Sequence, residues 1–146
     1  TYTASVSAAV HVGAKVVFID SRPDSVEMDY DKMEEAITEK TKAIIPVDIG
    51  GVLCDYDRIF EAVERKKHLF KAEGRVQEAL GRVAVVADSA HALGAERNGK
   101  KARISIIRKK TAGKSRPGIP GNDQNSAQSA ASAAIPPAVF YSGAAA

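Results

Sequence analysis

The stretch Ala87-Asp88-Ser89-Ala90-His91-Ala92-Leu93-Gly94-Ala95 places a carboxylate at the end of an apolar run and an imidazole three residues later. Small residues fill the space around both. A flat heteroaromatic ligand needs this combination: a carboxylate to keep a ring nitrogen protonated, a nearby polar group for a ring substituent, and no bulky side chain in the way. Taken singly, Asp88 also reads as a cap for the following turn and His91 as a solvated bystander. Two further carboxylates, Asp20 and Asp48, end similar apolar runs, and each is also explained by the satisfaction of loop amides. His11 and His68 lie on helical stretches and read as solvated.

The elements that must position these groups follow from the pattern around them. Lys15-Val16-Val17-Phe18-Ile19-Asp20, Ala43-Ile44-Ile45-Pro46-Val47-Asp48 and Val83-Ala84-Val85-Val86-Ala87-Asp88 are nearly continuous apolar runs that end in Asp. Strands covered on both faces read this way, whereas one-sided antiparallel strands alternate. Between them lie helical patterns. Val6 and Val10 lead to Gly13 as a helix terminator; Met33, Ala36 and Ile37 follow Asp29 as N-cap; Ile59, Phe60, Val63 and Phe70 follow Asp55 as a second cap. The alternation predicts an α/β fold, with a parallel or mostly parallel sheet and helices on both faces. In such sheets ligands bind beyond the carboxyl ends of the strands, where the three Asp residues fall. Gly50-Gly51 reads as a turn after the second strand, and Asn98-Gly99 as a hairpin turn between Ala95 and Ala102.

The 146 residues are 45% hydrophobic and 27% charged, the balance of an ordinary globular domain. Cys54 is the single cysteine, which excludes an internal disulfide, a cysteine-rich metal site and a CxxC redox pair, and points to a reducing, cytoplasmic setting. No apolar run reaches the roughly 20 residues that cross a bilayer, so no membrane partner is expected. The net charge of +3 is unevenly placed: residues 103–146 carry six Lys/Arg against one acid, Asp123, and 24 of those 44 residues are Ala, Ser, Gly or Pro. Such a basic, low-complexity tail does not read as forming a core. Its Gly113-Lys114-Ser115 lacks the earlier glycine of a phosphate-binding loop, since Arg108 stands there. Its Arg108-Lys109-Lys110 cluster has no interleaved aromatics, so no specific nucleic-acid partner is expected.

Residues 1–102 resemble the DegT/DnrJ/StrS family of sugar aminotransferases, fold type I enzymes that use pyridoxal phosphate. The resemblance rests on collinear stretches: Thr1-Tyr2-Thr3-Ala4-Ser5, Gly13-Ala14-Lys15 with the strand to Asp20, Asp29-Tyr30, Glu35-Ala36-Ile37-Thr38, Thr41 to Gly51, and Asp88 to Ala95 leading to Gly99-Lys100. It implies that Asp88 pairs with the pyridine nitrogen of the cofactor, that His91 lies by its 3-hydroxyl, and that Tyr2 stacks on the ring. At Asp48 many relatives have His, which leaves its role open. Residues 64–82, dense in charge, are longer than the usual family connection and read as a helix extension or a surface insertion.

The same resemblance implies a function: transfer of an amino group, from glutamate as donor, to a nucleotide-linked keto-sugar, in a homodimer when the protein is full length. It also requires a Schiff-base lysine about thirty residues past the Asp88 motif, within a Ser-Phe-x-x-x-Lys-like pattern. That pattern is absent. Lys110 comes too soon and Lys114 lacks the context, so the catalytic residue is unassigned. The chain accordingly reads as a large-domain fragment, 1–102, followed by a tail, 103–146, without family similarity. A catalytically inactive remnant is the alternative.

Overall fold

A computed structural model describes residues 2–102 together with the backbone of residues 138–142. Helix α1 (Thr3–His11) leads into β1 (Lys15–Ile19), α2 (Tyr30–Glu35), β2 (Thr41–Pro46) and α3 (Tyr56–Arg65). A 3-10 turn (Lys67–Leu69), α4 (Arg75–Leu80), β3 (Ala84–Val85) and the hairpin β4 (Glu96–Arg97) and β5 (Lys100–Lys101) follow, with β6 (Ala138–Ser142) last.

The expected caps and stops are in place. The Asp29 carboxylate accepts from the N–H groups of Asp31 and Lys32 at 3.2 and 3.1 Å, and Asp55 accepts from Arg58 N–H at 3.1 Å, satisfying donors that a helix start leaves open. Helix α1 stops in a Schellman arrangement: Gly13 N–H bonds Val10 O at 2.9 Å and Ala14 N–H bonds Ala9 O at 3.1 Å. That geometry needs φ of +75° at position 13, which glycine adopts without strain. Asn98 and Gly99, with φ of +52° and +72°, turn the β4–β5 hairpin as the dipeptide suggests. The pair Gly50 and Gly51, φ +60° and +79°, makes the expected turn past β2.

The main sheet has the order β1-β6-β2-β3. Strands β2 and β3 are parallel, and because β6 runs antiparallel to both β1 and β2, β1, β2 and β3 all point the same way. Three of the four strands thus run in one direction, with β6 antiparallel between β1 and β2. Side chains alternate along β2 and build a core on each face. Ile44 joins Ile19, Met33, Ile59, Val63 and Val85 in the larger cluster, on the side of α2 and α3. Ala43 and Ile45 face the other way, toward Ala9, Val6 and Val16, where α1 lies. Helices on both faces explain why the strands read as apolar runs.

Three departures have physical causes. The third apolar run shows only a two-residue ladder, yet Val86 N–H to Ile44 O, Asp88 N–H to Pro46 O and Asp48 N–H to Asp88 O, each 2.9 Å, carry the pairing on to the Asp residues. Residues 64–82 are not an extension of α3: the chain breaks at Lys66, passes the 3-10 turn, and returns through α4, which has no buried residue. Lys71 with Glu39 at 2.6 Å and Lys42 with Glu73 at 2.9 Å tie this surface segment to the start of β2.

The third departure is β6. The tail's composition does not read as forming a core, but its Ala138–Ser142 lies between β1 and β2, pairing Ile19 with Ala138 and Lys15 with Ser142 on one side, Pro46 with Ala138 and Thr41 with Ser142 on the other. The short apolar run Ala138-Val139-Phe140-Tyr141 after Pro136-Pro137 was the signal, masked by the surrounding Ala and Ser. Two strands that point the same way with a gap between them leave a row of backbone donors and acceptors on each, and a third strand between them satisfies both rows. Lys110 and Lys114 lie outside the described residues.

Candidate functional site

Asp88 ends the third apolar run at the carboxyl edge of the sheet, half-buried beside the end of β2, where Val47 and Asp88 form an isolated parallel bridge. Its backbone is held on both sides, since its N–H donates to Pro46 O and its carbonyl accepts from Asp48 N–H. The Ser5 hydroxyl, in the first turn of α1, donates to Asp88 Oδ2 at 2.5 Å. Asp88 Oδ1 faces a longer contact, 3.4 Å, from Ala90 N–H, which leaves acceptor capacity on that oxygen. Ser5 therefore joins two elements 83 residues apart in sequence and brings the start of α1 to the carboxylate.

Tyr2 immediately precedes α1 as its N-cap residue, with its carbonyl accepting from Ser5 N–H at 3.1 Å, and the residue is 78% exposed. The Ser5–Asp88 bond thus places the exposed Tyr2 at the same edge as Asp88. His91 sits exposed at the tip of a turn that Ala92 N–H closes on Ser89 O at 3.0 Å. Ala90 and Gly94 beside it add no bulk, and Ala92 is buried beneath. The turn is anchored downstream as well. Ala102 N–H bonds Ala95 O at 2.7 Å, and Arg97 of the hairpin donates to Leu53 O at 2.8 Å while pairing with Glu27 and Asp55.

Asp48 proves to be a hub rather than a loop ornament. It is 1% exposed, and its carboxylate accepts from Cys54 N–H at 2.8 Å, from the Tyr56 hydroxyl at 2.9 Å and from the Ser89 hydroxyl at 2.6 Å. Burial, followed by the Asp48 charge, pushes the Tyr56 phenol far above its ordinary range, so Tyr56 remains a neutral donor. The Cys54 thiol is pushed up by burial first and by Asp48 second. Asp20, by contrast, is exposed and accepts from its neighbour Ser21 N–H at 2.8 Å, a local turn contact. His11 is exposed, and the exposed His68 ring approaches Arg65 O.

Sequence reasoning missed Ser5, Tyr56 and Ser89 as partners of the two Asp residues. Ser89 was adjacent to the motif, but Ser5 and Tyr56 carried no local signal. Among the described residues no cluster of three or more His, Cys, Asp or Glu side chains is arranged to hold a metal ion. Nor is any described helix long and apolar enough to cross a membrane.

The residues present suit a pyridinium-type cofactor. A half-buried carboxylate with one oxygen engaged and one with spare capacity can accept an N–H from a cationic ring nitrogen, and an exposed aromatic stands at the same edge.

The chain is similar in sequence and in fold to known proteins. GDP-perosamine synthase of Caulobacter vibrioides is 37% identical over 101 residues, covering 69% of this chain and 23% of that protein. The UDP-4-amino-4-deoxy-L-arabinose–oxoglutarate aminotransferase of Shewanella sediminis is 36% identical over 99 residues, 68% of this chain and 22% of that protein. The solved structure of Spr1654 from Streptococcus pneumoniae, described as a sugar aminotransferase in its PMP form, superposes with a TM-score of 0.67 at 53% identity, over 70% of this chain and 26% of that one. Its PLP form matches with a TM-score of 0.63 at 51% identity. The chain spans about a quarter of the length of these relatives. The family model of the DegT/DnrJ/EryC1/StrS aminotransferases matches residues 1–105, and the chain belongs to that family.

Proposed function

We propose that this chain is the pyridine-holding part of a pyridoxal phosphate-dependent aminotransferase acting on a nucleotide-linked keto-sugar, with glutamate as amino donor. The observation that carries the reading is Asp88: a carboxylate at the strand edge, fixed by Ser5 and by backbone bonds on either side, in a family whose solved members include PLP and PMP forms. The names of the relatives, a GDP-perosamine synthase and a UDP-4-amino-4-deoxy-L-arabinose–oxoglutarate aminotransferase, support the sugar class.

Pyridoxal phosphate, when bound, supplies an electron sink that lets an amino group move between two carbon skeletons. The protein's part is to keep that sink effective. Asp88, as an anion, accepts the ring N–H and favours the protonated ring. Ser5 fixes the Asp88 carboxylate in one orientation without adding charge. Tyr2 offers a flat face for stacking, and His91 a polar group on the turn that follows Asp88. Ala90 and Gly94 keep the approach open.

In this reading residues 1–102 form the large-domain part and residues 103–146 a basic segment, of which Ala138–Ser142 pairs into the sheet. Full-length protein is a homodimer in a reducing cytoplasm; the exposed apolar residues Tyr2, Val10, Val12, Val17 and Phe18 and the single buried thiol support that. A second reading is a cofactor-holding chain without transamination, favoured by the absence of a Ser-Phe-x-x-x-Lys-like pattern in the sequence. Borohydride reduction of the chain with pyridoxal phosphate, followed by peptide mass spectrometry, separates the two. Label on one lysine, dependent on Asp88, supports the aminotransferase; label scattered over surface lysines contradicts it.

A further inference from the structure

Asp48 grips the dipeptide Asp88-Ser89 twice. Its backbone N–H donates to Asp88 O at 2.9 Å, and its carboxylate accepts the Ser89 hydroxyl at 2.6 Å. The same carboxylate accepts from Tyr56, in the first turn of α3, and from Cys54 N–H just before that helix. Helix α3 is rooted in the core by Ile59 and Val63, both fully buried, so the grip has a rigid base. Three donors converge on one side chain, and an ionised carboxylate is the group that accepts all of them; an amide would turn its own N–H bonds toward part of the set.

We propose that Asp48 is a positioning residue: by clasping Ser89 it fixes the turn Ser89–Ala92 and with it the direction in which Asp88 presents its carboxylate to the cationic ring nitrogen of a pyridine-type cofactor. This deepens the reading of Asp88 given above and rests on it. The division of labour is geometric. Ser5 holds one oxygen of Asp88 from the side of α1, and Asp48 holds the backbone and the following residue from the side of β2. A carboxylate misdirected by an ångström loses much of the charge-assisted bond it is there to make.

The test uses the full 146-residue chain and four variants. Ser89→Ala removes one hydroxyl at a half-buried position and leaves the core intact, Ser89→Thr keeps the hydroxyl, Asp48→Asn keeps the size, and Asp88→Ala removes the target group. Two readouts are taken: ¹⁵N relaxation of the ligand-free chain, and titration with pyridoxal phosphate followed by induced circular dichroism. In Ser89→Ala and Asp48→Asn the order parameters of Ser89, Ala90 and His91 fall from about 0.85 to below about 0.6. Cofactor affinity falls about tenfold in both, and Ser89→Thr retains ligand-free rigidity and affinity. Unchanged order parameters overturn the proposal. So does a loosened turn with undiminished affinity, because the clasp is then structural alone. If the unaltered chain binds no pyridoxal phosphate, the cofactor reading fails, and the relaxation data still decide for or against the clasp.

Discussion

At the scale of single residues, the site is organised by two carboxylates in unlike surroundings. Asp88 is half-buried with spare acceptor capacity and suits a ligand; Asp48 is buried with three donors upon it and suits a scaffold. Asp88 was legible in the sequence because a strand-end carboxylate followed by His91 and small residues is a local pattern. The hub at Asp48 was not, because Ser89 lies 41 residues away and its meaning emerges only when two parallel strands come into register. Cys54 belongs to the same neighbourhood: its thiol is buried, donates to Val47 O at 3.3 Å and is pushed up by burial and by Asp48. A thiol reagent is therefore expected to react with Cys54 only as the chain unfolds, with a rate that tracks denaturant. Rapid stoichiometric labelling of the native chain contradicts the burial of that hub.

At the scale of elements, caps and turns were readable and lengths were not. Asp29, Asp55, Gly13 and Asn98-Gly99 act through contacts within a few residues, so their chemistry is written locally. The ends of α2 and α3 depend on packing, and Phe70, which fits the periodicity of α3, packs on the core from beyond the 3-10 turn. The helix that roots the site is expected to be the sensitive one. Ile59→Ala, removing a fully buried side chain between α3 and the sheet, should cost about 2–5 kcal/mol in urea unfolding. Val76→Ala on the exposed face of α4 should stay within about 0.5 kcal/mol. Equal costs at the two positions contradict the assignment of the core.

At the scale of the whole molecule, three co-directional strands, helices on both faces and the position of Asp88 at the carboxyl edge followed from the order of apolar runs and helical patterns. The place of β6 did not, since strand order is a matter of which backbone rows remain unpaired and the tail's composition conceals the apolar run that forms β6. Surface charge adds a pH dependence. Arg65 and Glu34 form a bidentate pair, Lys71 pairs with Glu39, and the hydrogen bonds from these cations hold both glutamates below their ordinary 4.5. A carboxylate lowered in the folded state contributes stability above its unfolded value, and that contribution is lost as pH falls through the lowered one. Urea midpoints are thus expected to drop below about pH 4.5, with Arg65→Gln showing a shallower drop and converging on the unaltered chain in acid. Parallel curves contradict the pairing.

The central claim is that Asp88 receives the ring of pyridoxal phosphate. That cofactor is achiral, so a visible circular dichroism band arises only when a folded site holds it in one orientation. Titrating pyridoxal phosphate into the chain should induce a saturable band that Asp88→Ala abolishes and Asp20→Ala leaves intact. No band, or one of equal strength in Asp88→Ala, contradicts the account.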